Sequence, residues 1–403
     1  MRDLAALDDL VLVVNAGSSS LKYAVVSASS GESLVSGLVE QIGETSGRLT
    51  HHGPSGRQVT DQPFATHEDA FRAVLEAFDR HGPSLADADL KAVGHRVVHG
   101  GPHFSAPALV DDALVDTVTS VVPLAPLHNP ANLACLQAAR RLFPDVPQVA
   151  VFDTAFHQTL PEHAYTYAIP LALREEHLVR RYGFHGTSYS FVARETARVL
   201  GRPVTDLNLI VLHLGNGASA AAIRGGESVD TSMGMTPLEG LVMGTRSGDL
   251  DPALHAHLHR QLGWSLEEVD RMLNRDAGLR GLSGHNDFRE VDRLRKSGEA
   301  GPTLAFDVFC HRIRKYVGAY YAVLGTVDAV VFTAGVGENA ADMREAALSG
   351  LQRLGIAVDP TRNTTRTDGS RVISPDGCDV AVLVVPTDEE WEIAMQALAV
   401  VTG

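Results

Sequence analysis

Leu10-Val11-Leu12-Val13-Val14-Asn15-Ala16-Gly17-Ser18-Ser19-Ser20-Leu21-Lys22-Tyr23-Ala24-Val25-Val26 is the stretch from which the fold is read. Two β-branched, apolar runs flank a short polar turn, the pattern of two buried strands folded back on each other. The turn crowds Asn15, Gly17, Ser18, Ser19, Ser20 and Lys22 together. Glycine lets backbone approach a ligand, hydroxyls and free N–H groups suit phosphate oxygens, and lysine brings charge. It is not a Walker A loop, because GxxxxGKS/T is missing and a strand rather than a helix follows. Taken alone, the stretch reads either as an ordinary hairpin or as a turn that holds phosphate.

The pattern returns two hundred residues on. Leu209 to Ile223 is again strand, turn and strand, with His213, Leu214, Gly215, Asn216 and Gly217 at the turn. A third version, Ala329 to Asn339, runs from an apolar strand into Gly335-Val336-Gly337-Glu338-Asn339 and then a helix. One glycine turn after a strand is weak evidence. Three, two of them hairpins heading similar halves, predict a duplicated α/β domain that closes on a nucleotide from both sides.

At 403 residues the chain has room for two domains with full cores. Hydrophobic content of 44% and charged content of 21% are those of a globular protein. Cys135, Cys310 and Cys378 are scattered and odd in number, which argues against a disulfide framework and a CxxC metal site and fits a cytoplasmic location. No apolar run approaches the roughly 18 residues of a membrane span, and no signal peptide is visible. The net charge of −15 argues against a nucleic-acid partner, for there is no basic stripe to neutralise phosphates. An anionic substrate would have to be drawn in by local arginines. The 18 histidines form no HExxH motif, so imidazole metal binding is not expected.

Along the chain, Ser33 to Gln41 reads as a third strand and Gln58 to Asp61 as a short one. Thr66 to Asp69 is a capping box with Asp69 in place of Glu, and the helix after it carries Phe71, Val74, Leu75 and Phe78 on one face before His81-Gly82-Pro83 ends it. Ala92 to Gly101 is a strand running into a double-glycine turn; Arg96 within it either faces outward or is held in a cleft. Leu127-His128 lies in a stiff turn before a helix from about Ala131 to Leu142, where His128 is either a structural hydrogen-bonding residue or functional. Gln148 to Phe152 is a buried strand ending at Asp153, where α/β sheets place their ligands, and the domain boundary is expected there.

The second half opens with Tyr165 to Ile169 and a helix around Leu171 to Arg181. Phe184-His185-Gly186 is a glycine-flanked turn, with Thr187 or Ser188 capping a helix to Leu200. Gly244 to Asp249 presents the single arginine Arg246, either solvated or a phosphate clamp. Ser265 to Glu268 is another capping box, Gly278 to Asn286 a loop, and Asp287-Phe288-Arg289 leads into a charged helix. A long amphipathic helix spans about Thr303 to Leu324, Asn339 to Gly355 is the helix of the third repeat, and Val380 to Val385 is a strand. Thr387 and Glu390 have the spacing of a final capping box, which leaves Glu389 for another task.

With these residues in place the chain resembles the acetate kinase family, within the acetate and sugar kinase, chaperone-ATPase and actin superfamily. The likeness runs from Asn15-Ala16-Gly17-Ser18-Ser19-Ser20-Leu21-Lys22 through Gly183 to Ser188 to the terminal Thr387-Asp388-Glu389-Glu390. It implies two ribonuclease-H-like (actin-like ATPase) domains with a nucleotide cleft between them: residues 1–154 with a returning 387–403 segment, and residues 155–386. It implies a homodimer, ATP/ADP and acetate/acetyl phosphate as substrates, and Mg2+, with Mn2+ as a substitute. Carried over residue by residue, it implies Asn15 and Glu389 as the metal pair and Lys22 at the phosphate site. Arg96 would hold the substrate carboxylate, with Val98, Leu127, Phe184 and Pro237 around its methyl group. Asp153 would be the catalytic aspartate, His185 and Arg246 the transition-state stabilisers, and His128 a further active-site histidine. Nucleotide contacts would come from His213 to Gly217, Asp287 to Arg289, and Gly335 to Asn339. Asp388, Tyr189 and Arg280 depart from the family pattern.

The implied reaction joins two anions. A carboxylic acid with a pKa near about 4 is ionised at neutral pH, so the nucleophile needs no general base. Asp153 is then expected to orient a group or hold metal-bound water, while Arg96, Arg246, His185 and Mg2+ offset the repulsion. Closure of the two domains over the nucleotide is expected to exclude water. A propionate or butyrate kinase would share nearly every one of these residues, and a pyrophosphate-dependent relative would lack strong adenine contacts. A nucleotide-switched interaction protein of the actin or chaperone type would have no use for Arg96, His185 or the apolar pocket.

Overall fold

Leu10, Leu12 and Val14 face one way along the first strand and Val11 and Val13 the other, and all five are buried. Burial on both faces is why the run is continuously apolar rather than alternating. The computed structural model describes residues 9–82, 85 and 88–403, in two compact units: Met1–Gln158 with Asp388–Gly403, and Thr159–Thr387.

The first unit is built on β1 (Leu10–Ala16), β2 (Ser20–Ser27), β3 (Ser33–Glu40), β4 (Arg48–Gly53), β5 (Gly56–Asp61), β6 (Leu90–Val97), β7 (Ala108–Leu109) and β8 (Gln148–Phe152). Their order in the sheet is β5-β4-β3-β2-β1-β6-β8-β7. Helices His67–His81 and Asn129–Leu142 cover one face, where Phe71, Phe78, Cys135 and Ala139 meet Leu10, Leu12, Val14 and Val25. The terminal helix Glu389–Thr402 covers the other, with Ile393, Ala394 and Ala397 against Val11, Val13, Val149 and Val151. Gly94 permits this approach, since a Cβ there would lie 2.9 Å from Ile393 Cγ2. Trp391 Nε1 fixes the helix by donating to the Ala28 carbonyl at 2.9 Å.

The second unit contains β9 (Asn208–Leu214), β10 (Ala218–Arg224), β11 (Glu227–Thr231), β12 (Ala329–Thr333), β13 (Arg371–Val372) and β14 (Ala381–Val384), ordered β11-β10-β9-β12-β14-β13. Helix Gly186–Leu200 packs on β9 and β12, and helix Ala300–Leu324 on β9 and β10. The long helix buries Phe306, Phe309, Cys310, Ile313, Val317 and Tyr320, a spacing of three and four residues.

Within these sheets, β3-β2-β1-β6-β8 and β11-β10-β9-β12-β14 are the same arrangement twice. The first three strands of each are antiparallel and the remaining two run parallel to the central one. This is the ribonuclease-H-like kernel. The repeat read from the glycine turns is therefore a repeat of topology.

Local structure departs from the sequence reading where tertiary contacts recruit a side chain. The helix expected over Leu171 to Arg181 ends at His177, because Leu178 turns left-handed at φ 59° and Arg181 reaches the Ser232 and Met233 carbonyls. Neither Thr187 nor Ser188 caps the next helix; His185 does, at φ 59° and with no side-chain cap, and Thr187 is buried. At the terminal helix Asp388 is the N-cap, accepting from Trp391 N–H at 2.9 Å, and Glu390 pairs with Lys22 instead of closing a box with Thr387. Residues Gly278–Ser283 are a helical turn, not a loop. The third glycine segment is itself helical, Ala334–Asn339, and a separate helix Ala341–Leu348 follows. Strand β4 went unread because its exposed residues leave only Leu49 and His51 buried. Both other capping boxes form, at Thr66 and Ser265. Pro83 lies outside the described residues.

His95 is buried in β6, with Nε2 2.8 Å from Gln148 Oε1, and burial lowers its pKa from 6.5 to about 4. The unfolded chain therefore binds a proton that the fold refuses, so this contribution to stability is complete above pH 6.5 and is lost as pH falls towards 4. Lowering the pH from about 6.5 to about 5 should weaken the fold by about 2 kcal/mol through this residue. Urea unfolding at the two pH values should show that loss in the wild type and a flatter profile in His95→Gln.

Candidate active site

The parallel register sets Asn15 of β1 opposite Arg96 of β6, and β6 runs beside β8 up to Phe152. Asp153 follows directly, its N–H donating to the Val97 carbonyl at 3.0 Å. Three adjacent strand ends thus present an amide, a guanidinium and a carboxylate. Arg96 donates Nε–H and Nη2–H to the two carboxylate oxygens of Asp153 at 2.8 and 2.6 Å, and Nη1–H to Asn15 Oδ1 at 3.3 Å. Asp153 is 1% exposed. Burial lowers the Arg96 pKa, but the charges of Asp153, Glu389 and Glu390 outweigh it and raise the guanidinium above its ordinary value. Of the five guanidinium N–H groups, two remain, one on each Nη, enough for a second carboxylate.

Asn132, which the sequence reading passed over, binds this corner together. Its Oδ1 accepts Val98 N–H at 3.0 Å and its Nδ2 donates to the Ala16 carbonyl at 2.7 Å, so the ends of β1 and β6 are tied through one buried amide. Val98 is 9% exposed and Leu127 53%, while His128 is half-buried at the start of helix Asn129–Leu142. Ser18, Ser19 and Lys22 are exposed on the first hairpin, Lys22 paired with Glu390. Glu389 is half-buried, and burial raises the pKa of neighbouring Asp388.

In the second unit, the β9–β10 turn is the meeting point. A Cβ placed on Gly217 would lie 3.5 Å from Arg246 Nη2 and 3.6 Å from His185 Nε2, so guanidinium and imidazole converge on one backbone position. His185 stacks on His213, ring centroids 4.1 Å apart, and its Nδ1 lies 2.8 Å from Ser219 Oγ. His213 Nδ1 lies 2.8 Å from Ser188 Oγ, which in turn meets the Thr387 hydroxyl at 2.9 Å. Arg246 is steadied by the Pro237 carbonyl, which accepts from Nη1 at 2.7 Å, and burial lowers its pKa. Phe184 is buried beside His185 in the chain.

A cavity of about 740 Å³ opens from the same turn. Gly215, Asn216, Asp287, Phe288, Arg289, Gly335, Val336 and Asn339 line it, while His213, Leu214, Gly217, Gly337 and Glu338 sit on the same elements without lining it. Its wall also includes Leu279, Asn286, Asp292, Phe309, Ala340 and Arg366, none of which was singled out from the sequence. Asp287 caps its helix, accepting Arg289 N–H at 2.9 Å, and the Arg289 guanidinium holds its carboxyl below the usual range. Glu338 turns to the Thr387 N–H at 3.3 Å, and burial raises its pKa.

Arg344 was also missed. It is 1% exposed and donates Nη1–H to the Gly337 and Glu338 carbonyls at 2.8 and 3.0 Å, and Nε–H to Asn363 Oδ1 at 2.7 Å. Burial lowers its pKa to about 10. The charge sits at the carboxyl end of helix Ala334–Asn339, where helix carbonyls favour a cation. Arg344 and Asn132 shared one sequence signal, a polar residue inside an apolar helical stretch, but nothing in the spacing named their partners.

Doubled kernels with polar residues at their strand ends define the two-domain actin-like ATPase class. The chain matches the acetokinase family model over residues 10–395 and belongs to that family. It is 58% identical over 393 residues to the acetate kinase of Leifsonia xyli subsp. xyli, covering 98% of this chain and 99% of the relative. The Porphyromonas gingivalis acetate kinase structure superimposes with a TM-score of 0.93 at 42% identity, covering 97% and 99% of the two chains. A propionate kinase structure from Francisella tularensis subsp. tularensis follows at 0.91 and 40%, covering 96% and 98%. Acetate kinase is the activity these findings support. A propionate kinase is not favoured, since relatives 51–58% identical are acetate kinases.

Gly278 holds the Arg246 loop in place. At φ +62° it passes so close that a Cβ would lie 2.2 Å from the Met243 carbonyl oxygen and 2.6 Å from that of Arg246. Gly278→Ala must therefore move the loop backbone, and a shift of about 1 Å should lower kcat about 100-fold. Steady-state kinetics on the folded variant, with circular dichroism as the control, measures this.

Proposed function

We propose that the chain catalyses reversible, Mg2+-dependent transfer of the ATP γ-phosphoryl group to acetate by direct in-line displacement, giving acetyl phosphate and ADP. The observation that carries this reading is the β9–β10 turn. Gly215 and Asn216 line the cavity, and Gly217 is where His185 and Arg246 converge. A nucleotide in the cavity would bring its terminal phosphate towards two cationic or donor side chains.

On the acceptor side, the two open N–H groups of Arg96 suit the acetate carboxylate, with Asn15 and Asp153 fixing the guanidinium plane. Asp153 is engaged in a fork, which supports an orienting role rather than proton abstraction; ionised acetate offers no proton to remove. Val98, Leu127, Phe184 and Pro237 are the residues we assign to the methyl group, and His128 a supporting place in the site. Arg246 and His185 stabilise the charge spreading over the equatorial phosphoryl oxygens.

The donor set fits magnesium. Asn15 and Glu389 offer oxygen ligands, and among the described residues no group of three His, Cys, Asp or Glu forms a dedicated cage. Magnesium with few protein ligands is carried mainly by substrate phosphates and water. Asn15 and Glu389 would hold it, and when bound it supplies charge neutralisation along the phosphates, as Mn2+ could in its place. Lys22 we assign to the phosphates as well, after exchange from Glu390.

We assign the catalytic domains to residues 1–154 with 387–403 and to 155–386, in a cytoplasmic homodimer. Free Cys135, Cys310 and Cys378 support a reducing compartment. Among the described residues no helix is long and apolar enough to cross a membrane.

Trapping acyl phosphate with hydroxylamine tests the reaction. Acetate with ATP should give the most product, propionate less and butyrate least, and pyrophosphate should not replace ATP; no product with any acid would sink the reading. Arg246→Ala should lower kcat by about 100-fold or more, about 3 kcal/mol of transition-state stabilisation. Turnover near that of the wild type would remove Arg246 from its assigned role.

A further inference from the structure

Residues 232–239 carry the Pro237 carbonyl to which Arg246 donates Nη1–H at 2.7 Å. Proline has no N–H of its own, so its place is set by what holds the residues on either side. Arg181 holds both sides at once. Its Nη1 donates to the Ser232 and Met233 carbonyls at 3.1 and 2.9 Å, and its Nη2 to Glu239 Oε1 at 2.5 Å. One rigid fork thus spans the segment, gripping its start by two carbonyl dipoles and its end by a carboxylate. The Arg181 side chain is 16% exposed and that of Glu239 34%, so solvent screens the pair only in part.

Tyr167 fixes the middle. Its hydroxyl donates to Glu239 Oε2 at 2.6 Å and accepts Met235 N–H at 2.9 Å. Gly234 makes room for both groups, since a Cβ there would lie 1.9 Å from Glu239 Oε2 and 2.3 Å from the Tyr167 hydroxyl oxygen. The start of the segment has a backbone anchor as well: the Gly234 carbonyl accepts from the N–H groups of Tyr182 and Gly183 at 3.0 and 3.3 Å. At the far end, Gly240 N–H donates to Asp249 Oδ1 at 2.8 Å, and the Gly240 carbonyl accepts Asp249 N–H at 3.0 Å. The Pro237 segment and the Arg246 loop are therefore joined directly after Glu239. Between the anchors at Met235 and Gly240, the path past Pro237 is set by the Glu239 carboxylate.

We infer that Glu239, gripped by Arg181 and Tyr167, is a positioning residue for Arg246. It places the Pro237 carbonyl, and that carbonyl aims the guanidinium whose Nη2 approaches the Gly217 backbone. Its effect reaches the reaction through Arg246 alone. The inference rests on the reading of Arg246 as a stabiliser of the transferring phosphoryl group.

A double-mutant cycle on the full chain tests this, with steady-state kinetics of Glu239→Gln, Arg246→Ala and the double variant and circular dichroism as the folding control. Glutamine keeps the shape of the side chain and removes the charge that faces Arg181. Glu239→Gln should lower kcat about tenfold and leave the KM for ATP within about twofold of the wild type. In the Arg246→Ala background the same change should cost less than about threefold, because the group it positions is gone. Tyr167→Phe removes one hydrogen bond to Oε2 and keeps the inference testable where Glu239→Gln fails to fold. It should lower kcat about fivefold alone and less than about twofold in the Arg246→Ala background. A folded variant of either kind with wild-type kcat overturns the inference. So does a loss that persists in full beside Arg246→Ala, as a purely structural contact would show. Arg246→Ala with wild-type turnover overturns the reading of Arg246 itself, and the inference with it.

Discussion

Parallel pairing of β1 with β6 and of β6 with β8 is the constraint on which the first unit's chemistry depends. Side chains alternate across a strand, so a slip of one residue would turn Arg96 to the opposite face and His95 into its place. The register is held by burial on both faces. Leu10, Leu12 and Val14 are committed to one helical layer and Val11 and Val13 to the other, and neither set can be exchanged without exposing apolar area. With the register fixed, Asn15, Arg96 and Asp153 fall in line at the carboxyl ends of three neighbouring strands. Asn132 then ties the ends of β1 and β6 from the adjoining helix.

The second unit repeats the kernel but spends its strand ends differently. Its turn after β9 keeps glycine at both ends, so the backbone itself forms part of the cavity wall and of the His185–Arg246 meeting point. Two of its buried arginines are held by backbone oxygens rather than by carboxylates. Arg246 donates to the Pro237 carbonyl, and Arg344 to the carbonyls of Gly337, Glu338 and Asn363. An arginine neutralised by a carboxylate would have little field left for a phosphate. One satisfied by carbonyl dipoles keeps its charge, and in a chain of net charge −15 that local field has to draw the anions in.

Much of this was legible in the residues. The two hairpins, the buried strand before Asp153, the capping boxes at Thr66 and Ser265 and the long helix to Leu324 all follow from local pattern, because each is stabilised by neighbours close in sequence. The failures at helix starts share one cause. Ser188 looks like a helix cap and instead meets His213; Glu390 looks like half of a capping box and instead meets Lys22. A polar side chain near a helix start has a local partner by default, and only the fold can offer it a distant one. His185 shows the same from the backbone side, taking φ 59° at a position where spacing suggested an ordinary cap one or two residues later.

The order of apolar runs and glycine turns determined, before any coordinates, that the chain is a duplicated α/β protein, while Asn132, Asp292, Arg344 and Arg366 stood outside every motif. Runs and turns are properties of short segments, and short segments carry their own propensities. Tertiary structure decided what each group does with its hydrogen bonds: that Arg96 is forked onto Asp153 with two N–H groups left over, that Glu239 joins Arg181 to Tyr167, that Arg344 closes the glycine helix. A donor in a strand or turn can satisfy itself in many ways in water. Burial removes all but the partners the packing supplies, and those partners lie far off in the chain, as Ala16 does from Asn132 at 116 positions.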